Sequence, residues 1–544
     1  MQLRPLLLTI FLCFTGTIIL AQDFLPKDYL TASFHSGRRE AARAQMPANS
    51  VMVVFAAPTR TFANDVEYLY HQNPDLYYFT GYKEPHAVLL IFKEDQKAAD
   101  GTTYKELFFI QKKNPQREQW TGKRLGIEGA RERSGIAAVF NGEDFEKTAI
   151  DFSRFDKIIM DQFPDGIEGT SNDPANLGNL LKTFIAKAGL KDYDPAVDGN
   201  LNAISQFAYF SNLSQIKQMV RNREKDHPAV LANPLLTEFF SIEDSVSLDA
   251  FKAKLTKQRV STALFRQITA GLREIKTPEE MYLIRKAVEI SCQGHNEVMK
   301  AVRPDMSELE IQGLHEYIHK RYGSEEVGYG SIVGAGENGC TLHYMENSKT
   351  RVGTDMLLMD VGAEYHGYTA DVTRTIPVNG KFSPEARQIY QLVYDAQEAA
   401  FNILKEGAKF ADASKAAKDV IANGLVKLGI IKDVKDVNKY YPHGLSHHIG
   451  LDVHDKGSYS TLKKDMVITI EPGIYIPSNS PCDKKWWGLS VRIEDDALIT
   501  EKGYELLTSF APRSIEGVEK MVAEKSALDN YKVPALQTVP KKSF

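Results

Sequence analysis

Cysteine is scarce, with 4 in 544 residues, and Cys13 falls inside an N-terminal stretch that reads as a removable leader. Cys292, Cys340 and Cys482 remain; they allow one disulfide at most, so no disulfide framework can stand in for a buried core. A large excess of either charge is missing as well. Lys and Arg total 66 against 71 Asp and Glu, a formal net charge of −5, and no basic block offers a footprint for nucleic acid. No internal repeat or low-complexity tract is visible. The hydrophobic fraction of 43% and charged fraction of 25% are those of a globular chain whose length suggests two or three domains.

Residues 1–21 carry Arg4, then an apolar stretch from Leu6 to Leu20, then small Ala21 before polar Gln22 and Asp23. That is the layout of a signal peptide, which implies export to a periplasmic or secreted location. Ile19 is larger than the residue usually found there, so the position of the cut stays open. As a membrane anchor the stretch is slightly short and sparsely flanked by charge, so no stable span is expected after cleavage.

Residues 22–270 alternate apolar strand-like runs (50–57 and 87–92) with helical ones (37–45), which implies a mixed α/β domain. The aromatic cluster in residues 70–81 reads as domain core or subunit contact rather than substrate contact. Residues 205–255 are helical and charged, an elaboration whose mixed-sign run 221–226 suits a solvated face. A boundary is expected near Gly271, with a new helix beginning there. In it Thr277 is the cap, Pro278 fits the first turn, Glu280 completes a capping box, and Met281, Ile284, Ala287 and Val288 form an apolar stripe. The second domain is expected over 271–512, followed by a loosely packed polar tail, 513–544.

The chemistry concentrates between Leu357 and Glu494. Residues 357–362 and 370–376 read as two strands of a hairpin, and a turn centred on Tyr365-His366 would set Asp360 directly across from Asp371. Two such carboxylates repel by roughly 4 kcal/mol at 4 Å and an effective dielectric near 20, so a positive group belongs between them. A second pair, Glu471 and Glu494, lies in similar apolar runs, with Ser490, Arg492 and Glu494 on one strand face and Glu471 sharing its face with Thr469. Between the pairs, His443-Gly444-Leu445-Ser446-His447-His448 and His454 read as a shaped loop presenting imidazoles. Four carboxylates and a histidine suit two hard divalent cations, manganese rather than thiolate-held zinc. Two such ions about 3.5–4 Å apart would activate a bridging water, which is hydrolytic chemistry.

The motifs Asn338-Gly339-Cys340-Thr341-Leu342-His343, Met359-Asp360-Val361-Gly362, Ala370-Asp371-Val372-Thr373-Arg374-Thr375, His443-Gly444-Leu445-Ser446-His447, Ile470-Glu471-Pro472-Gly473 and Arg492-Ile493-Glu494-Asp495 resemble, in order and spacing, those of the pita-bread metallopeptidases, within the branch of aminopeptidase P and prolidase. The resemblance implies metal ligands at Asp360, Asp371, His447, Glu471 and Glu494, with Asp371 and Glu494 bridging. It also implies Glu471 as general base or proton shuttle, substrate contacts from His343, His443 and His454, and orientation of the acids by Arg492. Trp120 is the functional candidate of the first domain, since the equivalent region in family members can reach a neighbouring subunit's site, and a homodimer or homotetramer is implied. The fold implied is an N-terminal mixed α/β domain followed by a pita-bread catalytic domain. The activity implied is removal of the first residue from peptides with proline second; the alternatives are a prolidase acting on dipeptides and a non-catalytic peptide-binding module, which would lack ligands that this sequence keeps. His366 and His448 are expected to be ordinary polar residues, and Asp495 and Asp496 strand-end acids rather than extra ligands.

Overall fold

The computed structural model describes residues 28–529 apart from 99, 165–166, 168–170, 192, 208–212 and 256. The leader reading of residues 1–21 and the tail beyond 529 lie outside them. The expected strands fall on Ser50–Phe55 and Val88–Lys97. Ser50–Phe55 is buried throughout because it sits inside a six-stranded sheet, antiparallel to Val88–Lys97 on one side and parallel to Lys157–Met160 on the other. Its alternation feeds two apolar layers: Val51, Val53 and Phe55 meet Leu180 and Phe184, whereas Met52 and Val54 meet Phe34 and Tyr78. A strand covered on both faces has no polar side, which is why its sequence does not alternate.

Between Lys157–Met160 and Val260–Ser261 the chain leaves the sheet, and helices over residues 195–255 enclose a small core of their own around Ile204, Ile216, Leu236 and Phe239. The helix Thr262–Arg273 runs through Gly271, so the break expected at that glycine falls at 274–277 instead. Glycine inside a helix costs only about 1 kcal/mol, whereas the capping box does fix the next start: Thr277 accepts the Glu280 N–H, Glu280 accepts the Thr277 N–H, and the helix Pro278–Ala301 follows.

The second half holds three three-stranded sheets among the described residues: Ile332–Ala335 with Met356–Asp360 and Thr373–Pro377, Val467–Ile470 with Asp495–Ile499 and Tyr504–Leu506, and a small one of Glu326–Val327, Ala363–Tyr365 and Tyr368–Thr369. A two-stranded ribbon, Gly473–Ile476 with Leu489–Arg492, joins the first two. Helices Pro278–Ala301, Glu308–Arg321, Pro384–Phe401 and Phe410–Lys427 flank this layer and share its core. The tail is not loose at its start: Ile515–Val522 is a helix whose Ile515 and Val518 enter the same core, while Glu519 receives Lys381 and Arg387. Its polar residues are the outer face of an amphipathic helix.

The aromatic cluster proves to be core. Leu76, Tyr77, Tyr78 and Phe79 are buried against Tyr365, Tyr368, Ile449 and Leu451 of the second half. Beside them lies a buried ionic junction. Arg273 donates to Asp75 at 2.8 Å and to Asp452 at 2.9 Å and also pairs with Asp455, while Lys276 reaches Asp455 at 2.9 Å. Burial alone would raise the Asp455 carboxyl, but Arg273 and Lys276 outweigh it and hold its pKa at about 2.

Removing one partner strands the others, so Arg273→Met should cost about 3–5 kcal/mol of unfolding free energy. Because the folded pKa of Asp455 lies below the unfolded value, its contribution is complete above about pH 4 and lost as pH falls towards 2, a change of roughly 2 kcal/mol. In urea melts the gap between wild type and Asp455→Asn should therefore shrink from pH 6 to pH 3; an unchanged gap contradicts this account.

Candidate metal centre and active site

The acid hairpin forms in a different register from the expected one. Asp360 lies opposite Thr373, and the tight turn is His366-Gly367, both in the left-handed region at φ 51° and 89°. A two-residue turn matching strand twist needs positive φ at both central positions, and Gly367 supplies one of them, which moves the turn one residue along. Asp360 and Asp371 are nevertheless brought together: the Tyr329 hydroxyl lies 2.6 Å from Oδ1 of each. Burial, then the charges of Asp360 and Asp371, push the Tyr329 pKa far up, so the phenol keeps its proton between the two acids.

Glu494 sits where the ribbon strand Leu489–Arg492 gives way to Asp495–Ile499. Its N–H donates to the Thr373 carbonyl at 3.1 Å, and Thr373 Oγ1 donates to its Oε2 at 2.6 Å. Glu471 follows Val467–Ile470 directly, its N–H donating to the Leu445 carbonyl at 2.9 Å. That contact belongs to a zipper between strand and histidine loop, since the His447 N–H also donates to Thr469 Oγ1 and the Thr469 N–H to the His447 carbonyl. His447 Nδ1 donates to the His448 carbonyl at 3.0 Å, which turns Nε2 towards the acids. It lies 3.4 Å from Asp371, 3.6 Å from Glu471 and 3.9 Å from Glu494.

These groups share one cavity of about 470 Å3, which His343, His443, Ser446, His454 and Arg492 also line. The His454 ring packs on His447 with centroids 4.1 Å apart. Arg492 donates to Asp360 at 2.5 Å, to Thr373 Oγ1 at 3.1 Å and to the Tyr475 hydroxyl at 2.9 Å; that hydroxyl donates in turn to His443 Nε2 at 2.8 Å. Trp120 is elsewhere. It is 90% exposed on the helix Pro115–Thr121, beside a separate cavity with His86, Arg117 and Arg124.

Burial, then Asp360, raises the Asp371 carboxyl; burial, then Asp371, Glu471 and Asp360, raises Glu494 far above the carboxylate range; burial pushes Glu471 up to about 7. Burial opposes charge on His447, yet the Asp371 hydrogen bond and charge, then Glu471, carry it to about 9. Arg492 and His447 are thus the only protein cations the cavity offers four carboxylates, among the described residues. Asp371, His447 and Glu494 present donor atoms within 4.8 Å of one another. The donor set, four carboxylates and one imidazole, fits hard divalent cations.

Sequence reasoning missed Tyr329, Tyr475 and Thr373. Two had a readable signal: Tyr475 follows Glu471 and Gly473 at period two, and Thr373 follows Asp371 by the same step. Tyr329, in Val327-Gly328-Tyr329-Gly330, had none. His366 and His448, expected as ordinary polar residues, are buried and paired. His366 pairs with Asp28 and Glu325, and His448 Nε2 donates to the Ser458 carbonyl at 2.8 Å. Asp495 pairs with buried Arg374, and Asp496 Oδ2 accepts the Asp371 N–H at 3.2 Å.

A cavity ringed by carboxylates at strand ends and by histidines on loops is the arrangement a hydrolytic metalloenzyme would use. Residues 282–501 match the profile of Metallopeptidase family M24, and residues 35–157 that of the aminopeptidase P N-terminal domain. The Xaa-Pro aminopeptidase of Escherichia coli (strain K12) is 32% identical over 497 residues, spanning 89% of this chain and 96% of that protein; the Haemophilus influenzae Xaa-Pro aminopeptidase is 31% identical with the same coverage. The chain belongs to the aminopeptidase P family. Among solved structures, E. coli aminopeptidase P with the inhibitor Pro-Leu aligns at a TM-score of 0.68 and 29% identity, covering 91% of this chain and 98% of that one. A zinc-substituted form of the E. coli enzyme in complex with product aligns at 0.69, with the same identity and coverage.

Replacing Tyr329 by Phe removes the one proton held between Asp360 and Asp371. The variant should keep its fold by circular dichroism but bind divalent metal and turn over substrate roughly 10–100-fold less well; metal affinity equal to wild type would show that Tyr329 is only packing.

Proposed function

We propose that this chain is a metal-dependent Xaa-Pro aminopeptidase that removes the N-terminal residue from peptides with proline second. The observation that carries this reading is the convergence of Asp360, Asp371, His447, Glu471 and Glu494 with His343, His443 and His454 on one cavity. Those five residues would hold two divalent cations, and oxygen-rich ligation favours manganese. Such ions supply Lewis-acid polarisation of a carbonyl and a lowered pKa for water.

The chain's own groups do the rest. Glu471, at the end of Val467–Ile470 and lining the cavity beside His447, is the carboxylate placed to take a proton and return it to a departing proline nitrogen. Burial and the neighbouring His447 lower His454 to about 4, so it stays neutral and offers an N–H to a carbonyl oxygen gaining charge. Burial and then Arg492 do the same to His443, also at about 4; its Nδ1 donates to the Gly444 carbonyl at 2.8 Å, which leaves Nε2 to accept from Tyr475. The Arg492–Tyr475–His443 chain therefore orients Asp360 and His443 together. A bond preceding proline has no N–H, so a site that works on the carbonyl and its flanking acids loses nothing there, and a substrate's free amine is drawn to the carboxylates.

The leader layout of residues 1–21 supports export. Exposed Phe62, Tyr68, Leu69 and Trp120 support a homo-oligomer in which Trp120 meets a neighbouring copy.

The test is release of the first residue from an Xaa-Pro-Xaa tripeptide and an Xaa-Pro dipeptide, by manganese-loaded and chelated protein. Metal-dependent cleavage of the tripeptide alone is expected. Dipeptide preference would make it a prolidase, and silence on both with metal bound would favour a binding module. Glu471→Ala should lower kcat by about 10²–10⁴-fold with the fold intact.

A further inference from the structure

The long helix Pro278–Ala301 passes behind the strands that carry Asp360 and Asp371, and one of its polar side chains points into that layer. His295 is fully buried, and its Nε2 lies 3.2 Å from the Val361 carbonyl and 2.9 Å from the Val372 carbonyl. A carbonyl only accepts, so Nε2 carries the proton and donates to both. Those carbonyls belong to the residues that directly follow Asp360 and Asp371. Burial, then Arg374, lowers the His295 pKa to about 3; the ring is neutral at any working pH and its tautomer is set by the two acceptors. Nδ1 has no hydrogen-bond partner, and the His315 ring packs edge-on with centroids 4.7 Å apart.

The position of this contact matters because the regular ladder is interrupted there. Pairing between Met356–Asp360 and Thr373–Pro377 ends with Asp360 opposite Thr373. One step further Val361 still donates to the Val372 carbonyl at 3.2 Å, and the Asp371 N–H has already turned to Asp496. The ladder resumes at Ala370, whose N–H donates to the Ala363 carbonyl at 3.1 Å, so the two acids flank an interruption in the hairpin, and the forked donation from His295 bridges it from behind.

We propose that His295 is a positioning residue for the metal centre, its Nε2–H tying together the backbone just past Asp360 and Asp371 and so fixing the spacing at which the two carboxylates meet a cation. This rests on the reading of those two acids as ligands. A phenyl ring fills the same space without the donor, so packing and tethering separate.

Metal-free wild type, His295→Phe, His295→Gln and the control Val298→Ala, a buried apolar site on the same helix, are titrated with manganese by calorimetry, with thermal melts run in parallel. His295→Phe should bind roughly 10–100-fold more weakly, and His295→Gln, which keeps an N–H donor, should recover most of the loss. Val298→Ala should melt lower with affinity unchanged. If the phenylalanine variant does not fold, His295→Met against His295→Gln makes the same comparison. Affinity of the donor-less variant within twofold of wild type, or an equal loss in Val298→Ala, overturns the proposal while leaving the metal centre intact. A wild type that binds no manganese overturns both.

Discussion

Mutual repulsion of buried carboxylates is the constraint that the rest of this fold answers. Four acids face one cavity with only Arg492 and His447, among the described residues, as counter-charge, and each close pair costs roughly 4 kcal/mol at 4 Å and an effective dielectric near 20. Side chains free to move would swing apart. Here each acid is fixed through its own backbone by a separate device: Asp360 by the last rung of a ladder, Asp371 by Asp496, Glu471 by the Leu445 carbonyl and Glu494 by Thr373. The sheets behind them are held by apolar burial that does not depend on the site, so the core stabilises a charge arrangement that opposes folding locally.

All four acids stand where regular pairing stops or is about to start. Asp360 closes Met356–Asp360, Glu471 follows Val467–Ile470, Glu494 precedes Asp495–Ile499, and Asp371 lies two residues before Thr373–Pro377. Inside a ladder, successive side chains alternate between faces, and two acids from neighbouring strands meet only if register allows. At a ladder's end the backbone turns, and side chains from different sheets can converge on one point. The histidine loop joins by being zipped to Thr469, which places His447 Nε2 among acids from both sheets.

This explains what the sequence made legible. Motif order and spacing located all five metal-ligand candidates and three histidines of the cavity, because acids in apolar runs stand out against ordinary burial. Strand Ser50–Phe55 and the capping box at Thr277 followed from local rules alone. The hairpin register did not, since it turned on whether His366 would accept a left-handed conformation, a choice that the buried contacts of that ring with Asp28, Glu325 and Tyr29 favour. The packed helix Ile515–Val522 was missed because its charged face dominates its composition. Tyr329 was invisible for a similar reason: one hydroxyl between two acids leaves no pattern.

The N-terminal domain is bound to the chemistry by more than a linker. Asp452 and Asp455 flank His454 in sequence, and both pair with Arg273, whose third carboxylate, Asp75, belongs to the helix Pro74–Thr80 of the first domain. Lys456 reaches back to the same Asp75 and to Asp161. The loop that carries His454 into the cavity is thus anchored on both sides by charges it shares with the other domain. Desolvating so many charges is costly and does little for stability compared with an apolar contact of similar size. What such a junction does provide is direction, since a guanidinium fork donates to its carboxylates in few geometries. An apolar interface could slide by an ångström at little cost, whereas the Arg273 junction cannot, and His454 keeps its place over His447 because the two domains are locked in one arrangement.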